Sequence, residues 1–493
     1  MIDTNETVSG AAPMGCGGVR AACGAVASDR GSLRRAGLSF LLLLVFLAPV
    51  EAVSEAAGLD TVIVVLLLGG HDQDLTIQSA GKVGFSAGGS GAAELSGLTW
   101  LGGTQWCAVS DNDHTLYFMT IRLAPATGYP TQVTVDSSLV LAAGSDLEGV
   151  AFEPARESVF VSDESGPAVR EHLLIDGSLL QVVAVPPVYA NIRPNFSLES
   201  LALRTGFGTT WTANEEALDG DGSISTVGQG TVVRVQRFDA GQQPDGQWAY
   251  VTDGITAWSP FIEEERSGVS DMLALSDGQI LVLERELGGV GILNLPEFRS
   301  RIYEVDLSAA TDVSSIPALE GAVYTAAAKD LLWERQFSFA NFEGLALGPQ
   351  LDDGAYSLLL ISDDGGGLEQ ALYALRLYGV SPRLDQDPLI RGQAATLTAT
   401  GLEPGDDVFF LYSLSGTGIG PRVPQLGGLR LDLLPAVEKL GSAEADAAGE
   451  AELTVNIPSG APLVAVGTQA VVPRGVGGNA SVKTNALLDQ IQP

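Results

Sequence analysis

Cysteine is scarce in this 493-residue chain, with 3 in all. Cys16 and Cys23 precede an apolar run and leave with a cleaved leader, so Cys107 stands alone and no intramolecular disulfide is expected. Cys107 lies in an apolar strand pattern and reads as a small buried hydrophobe. Histidine is equally rare, at His71, His114 and His172. His114 follows Asp111-Asn112-Asp113 and is weighed as a base or ligand against a plain surface-loop residue. Basic residues are few: 26 Lys and Arg against 60 Asp and Glu give a net charge of −34. That balance excludes nucleic acid and anionic membrane surfaces as partners, because both need clustered cations. Only His114 of the three histidines directly follows a strand-end acid motif, so a serine-esterase mechanism is poorly supported.

Long apolar runs are missing too. Leu38 to Val50 follows a segment bearing Arg20, Arg30, Arg34 and Arg35 and precedes the small residues Ala52 and Ala56. A basic region, a short apolar core and a small-residue exit predict a secretory signal peptide over residues 1–56, with a long leader. The run is short for a bilayer span, so no membrane span is expected after processing, although a retained anchor stays open. A second run, Val62 to Leu68, is shorter still and reads as a strand or an apolar tail.

What the chain has instead is Gly (60 residues) and short apolar strands bounded by acids. Asp146-Leu147-Glu148-Gly149-Val150-Ala151-Phe152 is answered by Ser158-Val159-Phe160-Val161-Ser162-Asp163-Glu164. The same unit recurs from Glu94 to Asp111, Glu199 to Glu215, Asp271 to Glu284 and Glu343 to Asp363. A third strand tends to follow each. Repeated antiparallel units without long amphipathic helices between them predict an all-β fold, a β-propeller over residues 73–378. The intervals Glu199 to Asp271 and Asp271 to Glu343 are longer than the earlier ones. They hold either inserted loops, such as Leu218 to Gly230 and Gly288 to Arg299, or part of a further blade, with Asp74 to Phe85 closing the ring. Six blades are expected, with five or seven possible.

Residues 379–388, with Pro382 and Pro388, read as a linker, and 389–493 as a small accessory β-sandwich of Ig-like type. Its strands are seen in Ala394 to Thr400, Val408 to Tyr412, Ala451 to Ile457 and Leu463 to Val472.

Antiparallel neighbours place the start of the first strand and the end of the second at one end of a blade, only about 4.8 Å apart. Carboxylates so gathered repel one another unless a cation sits among them, and a hard, oxygen-liganded ion such as Ca2+ suits them. The candidate ligands are Glu94, Asp111, Glu148, Asp163, Glu164, Glu199, Glu215, Asp271, Glu284, Glu343 and Asp363. Turn-capping acids and Arg-paired acids are the competing reading of the same pattern.

Glu94-Leu95-Ser96-Gly97-Leu98, Asp146-Leu147-Glu148-Gly149, Val161-Ser162-Asp163-Glu164, Asn214-Glu215, Leu283-Glu284-Arg285 and Phe342-Glu343-Gly344-Leu345 together resemble the phytase-like family of secreted bacterial proteins, described as "esterase-like activity of phytase". The resemblance covers roughly residues 90 to 378. It implies a propeller and, loosely, phosphoric-ester hydrolysis. On that reading Glu148, Glu343 and Arg285 are the catalytic candidates, and Arg285 and Arg193 would bind phosphate oxygens. The few cations fit a less charged ester better than phytate. Two other readings stay open: a non-catalytic, calcium-stabilised binding or adhesion propeller, and a lactonase-type metal-dependent hydrolase. In each, the partner is a small ester or other small ligand.

Overall fold

A computed structural model describes residues 74–86, 91–193, 196–262, 265–365 and 368–493. The expected signal peptide, both apolar runs and His71 lie outside the described residues. Among those described there is no α-helix, and no helix is long and apolar enough to cross a membrane.

The first strand, β1 (Thr76–Gly84), is out of order in space and is placed last. Blade 1 is β2 (Leu95–Gly102), β3 (Gln105–Ser110), β4 (Thr115–Leu123) and β5 (Pro130–Val140). Blade 2 is β6 (Leu147–Glu153), β7 (Ser158–Asp163), β8 (Ala168–Leu173) and β9 (Leu179–Val183). Blade 3 is β10 (Ala202–Arg204), β11 (Thr209–Ala213), β12 (Val232–Phe238) and β13 (Pro244–Val251). Blade 4 is β14 (Arg266–Ala274), β15 (Ile280–Val290), β16 (Leu295–Asp306) and β17 (Ala328–Phe337). Blade 5 takes β18 (Asn341–Gln350), β19 (Tyr356–Asp363) and β20 (Ala371–Tyr378), with β1 pairing antiparallel to β20 as its outer strand. First strands touch around the ring, with β18 meeting β2, so the described residues form a closed five-bladed propeller.

Five is one of the numbers the repeat left open, not the favoured six. The long intervals are insertions: the loop between β11 and β12, the long β15–β16 hairpin, and residues 307–327 between β16 and β17. No strand of a sixth blade is built from them among the described residues.

Packing follows the two-residue period of a strand. In β19, Leu358 and Leu360 face blade 4, where they meet Leu281, Leu283 and Ile302. Leu359 and Ile361 face blade 1 and meet Leu95, Leu98 and Trp106. Both faces of a blade are covered, so the strand reads as a continuous apolar run. Cys107 is fully buried beside Val109, Val159 and Val161, and burial pushes its thiol pKa up to about 12.

Beyond the propeller, residues 383–386 of the Pro-bounded segment form β21 (Arg383–Gln386), which pairs with β22 (Ala394–Thr400). The second sheet is centred on β23 (Asp407–Ser413), and a small ribbon joins β24 (Arg422–Val423) to β25 (Leu429–Arg430). β26 (Val437–Glu444) flanks β23, β27 (Ala451–Asn456) pairs with β22, and β28 (Ala465–Val472) lies on the other side of β23. β29 (Val482–Lys483) and β30 (Leu487–Gln490) pair with β28. The core between the two sheets, with Leu397, Phe410 and Val472, also takes in Tyr356 of blade 5. The sandwich thus packs on the propeller at the base, the end away from the starts of the first strands.

Candidate functional site

The mouth of the propeller is shaped by one backbone irregularity repeated in every blade. Pairing between first and second strands slips between Leu95 and Gly97, Leu147 and Val150, Val269 and Asp271, and Phe342 and Gly344. In blade 3 the Leu198–Asn214 bridge stands in the same place. Such a bulge re-aims the residue it carries. The bulged residues are Ser96, Glu148, Glu199, Ser270 and Glu343, and the next are Gly97, Gly149, Ser200, Asp271 and Gly344. One residue beyond the partners of Leu95, Leu147, Leu198, Val269 and Phe342 stand Asp111, Glu164, Glu215, Arg285 and Asp363.

These positions form one electrostatic cluster. Glu148 feels Glu343, Asp111, Glu164 and Asp146; Glu199 feels Glu148, Glu215, Glu164 and Glu343. Burial first, and this mutual repulsion second, hold Glu148 and Glu199 well above the ordinary carboxylate range. The same two causes bring Asp111 to about 8, beside Asp363, Glu343 and Glu94. Glu343 is raised to about 7 by burial, even though Arg285 pulls it down. Burial and neighbouring acids also raise Glu94, Asp146 and Glu164.

Arg285 is the one cation among these mouth positions. One of its terminal nitrogens lies 2.7 Å from Glu215 Oε1 and 3.2 Å from Glu343 Oε1. Its Nε is buried and makes no hydrogen bond. Burial opposes the charge, but Glu215, Glu343, Glu199 and Asp363 outweigh it and hold the pKa above that of ordinary arginine.

Asp146, Glu148 and Glu164 each offer an oxygen within 4.8 Å of the other two. Asp146 was absent from the sequence-derived ligands. Its signal was its place directly before Leu147, the position Glu94 holds before Leu95. Glu164 also accepts the Ser197 N–H at 2.8 Å, which fixes its orientation. The donors are all hard oxygens, acidic, close and mutually repelling, so the residues present fit a divalent ion of the Ca2+ type.

Other expected ligands lie elsewhere. Asp163 precedes Glu164 and so points the other way, where Arg170 pairs with it and Ser165 Oγ donates to it at 2.9 Å. Glu284 likewise precedes Arg285. It accepts from Tyr250 Oη and Lys329 Nζ, both at 2.6 Å, and from the Asp253 N–H at 2.9 Å, in a network between blades 3 and 4. Asp271 sits one residue below the bulge and accepts N–H bonds from Leu345 (2.6 Å), Met272 (2.8 Å) and Leu201 (3.3 Å). Glu94 belongs to the outer edge of the mouth, with its own N–H donating to Asp364 at 2.6 Å. Asp363 caps Gly365 N–H at 2.6 Å and accepts from Asn341 Nδ2 at 3.3 Å, while Asn341 also donates to Glu343 at 2.8 Å. Arg193 is spent on Asp219, Ala217 O and Gly222 O at 2.7–3.1 Å. His114 is exposed, and His172 is buried with Nδ1 against Gly177 O at 3.1 Å.

The family model described as "Phytase-like: Esterase-like activity of phytase" matches residues 90–366, more than half of the chain and all of the mouth positions above. The chain belongs to the phytase-like family. No curated protein matches it in sequence. Among solved structures it overlaps hydrazine synthase of Kuenenia stuttgartiensis at 12% identity and a TM-score of 0.29, over 57% of this chain and 81% of that one. It also overlaps the PQQ-bound aldose sugar dehydrogenase of Streptomyces coelicolor at 13% identity and a TM-score of 0.28, over 62% and 98%. Overlaps this low carry no argument about a phytase-like protein's chemistry.

Proposed function

We propose that this phytase-like chain is an exported ester hydrolase that works with a divalent cation, Ca2+ by the chemistry of the donors. The observation that carries it is the close trio Asp146, Glu148 and Glu164 at the mouth. When bound, such an ion supplies positive charge for an ester oxygen and acidity for an attacking water. Glu343, at about 7, holds and releases a proton near neutral pH beside the Arg285 guanidinium, 3.2 Å away. Arg285 already balances Glu215 and Glu343. The mouth therefore favours an ester of low negative charge over a polyphosphate, and the net charge of −34 argues the same way. Export is part of this reading and rests on the Arg-bearing leader and the apolar run Leu38 to Val50.

The test follows melting temperature and hydrolysis of p-nitrophenyl phosphate and p-nitrophenyl acetate during calcium titration. Ca2+ is expected to raise both stability and turnover. Glu148→Gln is expected to remove the calcium response and cut turnover on the order of 100-fold. Stabilisation without turnover of either ester would leave the non-catalytic, calcium-stabilised binding reading. No calcium response at all would remove the metal from the account.

A further inference from the structure

The gathered acids of the mouth lie at one end of the first strands, and a separate cavity lies at the other. Below the bulges the first strands meet backbone to backbone. A Cβ on Gly97 would lie 2.3 Å from Glu148 O, one on Gly149 2.5 Å from Leu201 N, and one on Gly344 2.5 Å from Ser96 O. In the remaining sector the Asp271 carboxylate reaches from blade 4 to the amides of Leu201 in blade 3 and Leu345 in blade 5. This waist separates the acids from what lies beneath.

Beneath it is a cavity of about 510 Å3. Each first strand gives it an apolar wall residue: Leu98, Val150, Leu203, Met272 and Leu345. The sandwich closes the floor with Arg474, whose Nη1 meets Glu403 at 2.9 Å and whose Nε meets Asp406 at 3.0 Å, with Nη2 on Asp406 as well. Every guanidinium nitrogen is used, so the floor has no spare positive charge for an anion.

The floor is tied to the propeller unevenly. Gly103 N–H donates to Asn479 O at 3.0 Å from blade 1, and Ser276 Oγ to Gly401 O at 3.0 Å from blade 4. Gln350 of blade 5 donates to Lys483 O at 3.0 Å. Neither the blade 2 nor the blade 3 hairpin makes such a bond among the described residues, but Gly206 of blade 3 abuts Glu403, where a Cβ would lie 2.6 Å from Glu403 Cβ, whereas Pro154 and Ala155 of blade 2 are exposed and line the cavity. The opening is there.

We propose that this lower chamber is a second binding site, taking an uncharged, largely apolar small molecule that enters beneath blade 2. Its volume falls within the range of small-molecule sites, about 300–1,000 Å3, which are mainly apolar with a few fixed polar groups. The site is independent of the ester chemistry above the waist.

The test uses the full chain and the neutral fluorophore N-phenyl-1-naphthylamine. The wild type is expected to give a saturable, one-to-one fluorescence increase. Ala155→Trp, at the exposed entrance, and Ala274→Trp, which fills the interior, are each expected to weaken binding at least 10-fold. Ala155→Trp alone decides if the interior variant fails to fold, because Ala155 is exposed and unpacked. Glu148→Gln, above the waist, is expected to leave the affinity unchanged. Three results would overturn the proposal: no saturable binding, binding that neither tryptophan reduces, or binding that Glu148→Gln abolishes.

Discussion

Asp271 shows how much one side chain can hold together. Its carboxylate accepts three buried backbone N–H groups from three different blades, and burial nonetheless raises its pKa to about 8. Backbone donors favour the charged form and burial disfavours it, and here burial prevails. Asp271→Ala would strand three amides with no water to replace the lost acceptor. Each stranded donor costs about 1–3 kcal/mol, so a loss on the order of 3 kcal/mol or more is expected. Asp271→Asn keeps one acceptor oxygen and should lose less. Urea unfolding of both variants checks this, and an alanine variant as stable as the asparagine one would contradict the tie. The same residue marks a limit of the sequence. It was aligned with Glu148 as a mouth ligand, but it sits one place after the bulge, and in a strand one place reverses the side. That offset also separates Asp163 from Glu164 and Glu284 from Arg285. The acids were legible; which of two adjacent positions faces the channel was not.

At the level of the element, the bulge needs its glycines. Where Gly344 approaches blade 1, a methyl group would lie 2.5 Å from Ser96 O and 2.6 Å from Ile361 Cγ2. The inner strands are held by five-fold closure and have little freedom to move apart, so the clash is not relieved cheaply. Gly344→Ala is expected to cost about 1–3 kcal/mol, the usual cost of overpacking. Gly166→Ala, which meets nothing within 4 Å, is the neutral comparison and should stay within about 0.5 kcal/mol. Equal denaturation midpoints for the two variants would show that the strands yield. Glu148-Gly149 and Phe342-Glu343-Gly344 were therefore the most readable parts of the chain: acid, then glycine, states both the ligand and the close approach. The blade count was less readable. An insertion and an extra blade both lengthen the interval between repeats, and only strand pairing tells them apart. The closing role of β1 was open for the same reason, since its partner β20 lies almost 300 residues away and no local pattern names it.

For the whole molecule, the gathered acids make stability depend on pH and on metal. Glu343 and Asp111 have folded pKa values of about 7 and about 8, raised from ordinary values of 4.5 and 3.8. Between those limits the folded chain binds more protons than the unfolded one, so its stability must fall as pH rises. The metal-free protein is expected to melt highest near pH 5 and progressively lower toward pH 8. Glu343→Gln, which cannot ionise, should flatten that decline. Calcium acts in the opposite sense: it needs ionised ligands, so protons compete with it at pH 5 and no longer do so at pH 8. An ion bound only by the folded state adds about 2.7 kcal/mol at a concentration 100 times its Kd. Melting curves across pH, with and without Ca2+, should therefore converge at acid pH and separate at alkaline pH. If the calcium effect is instead equal at both ends, the ion sits away from the titrating acids, and the trio Asp146, Glu148 and Glu164 is not its site.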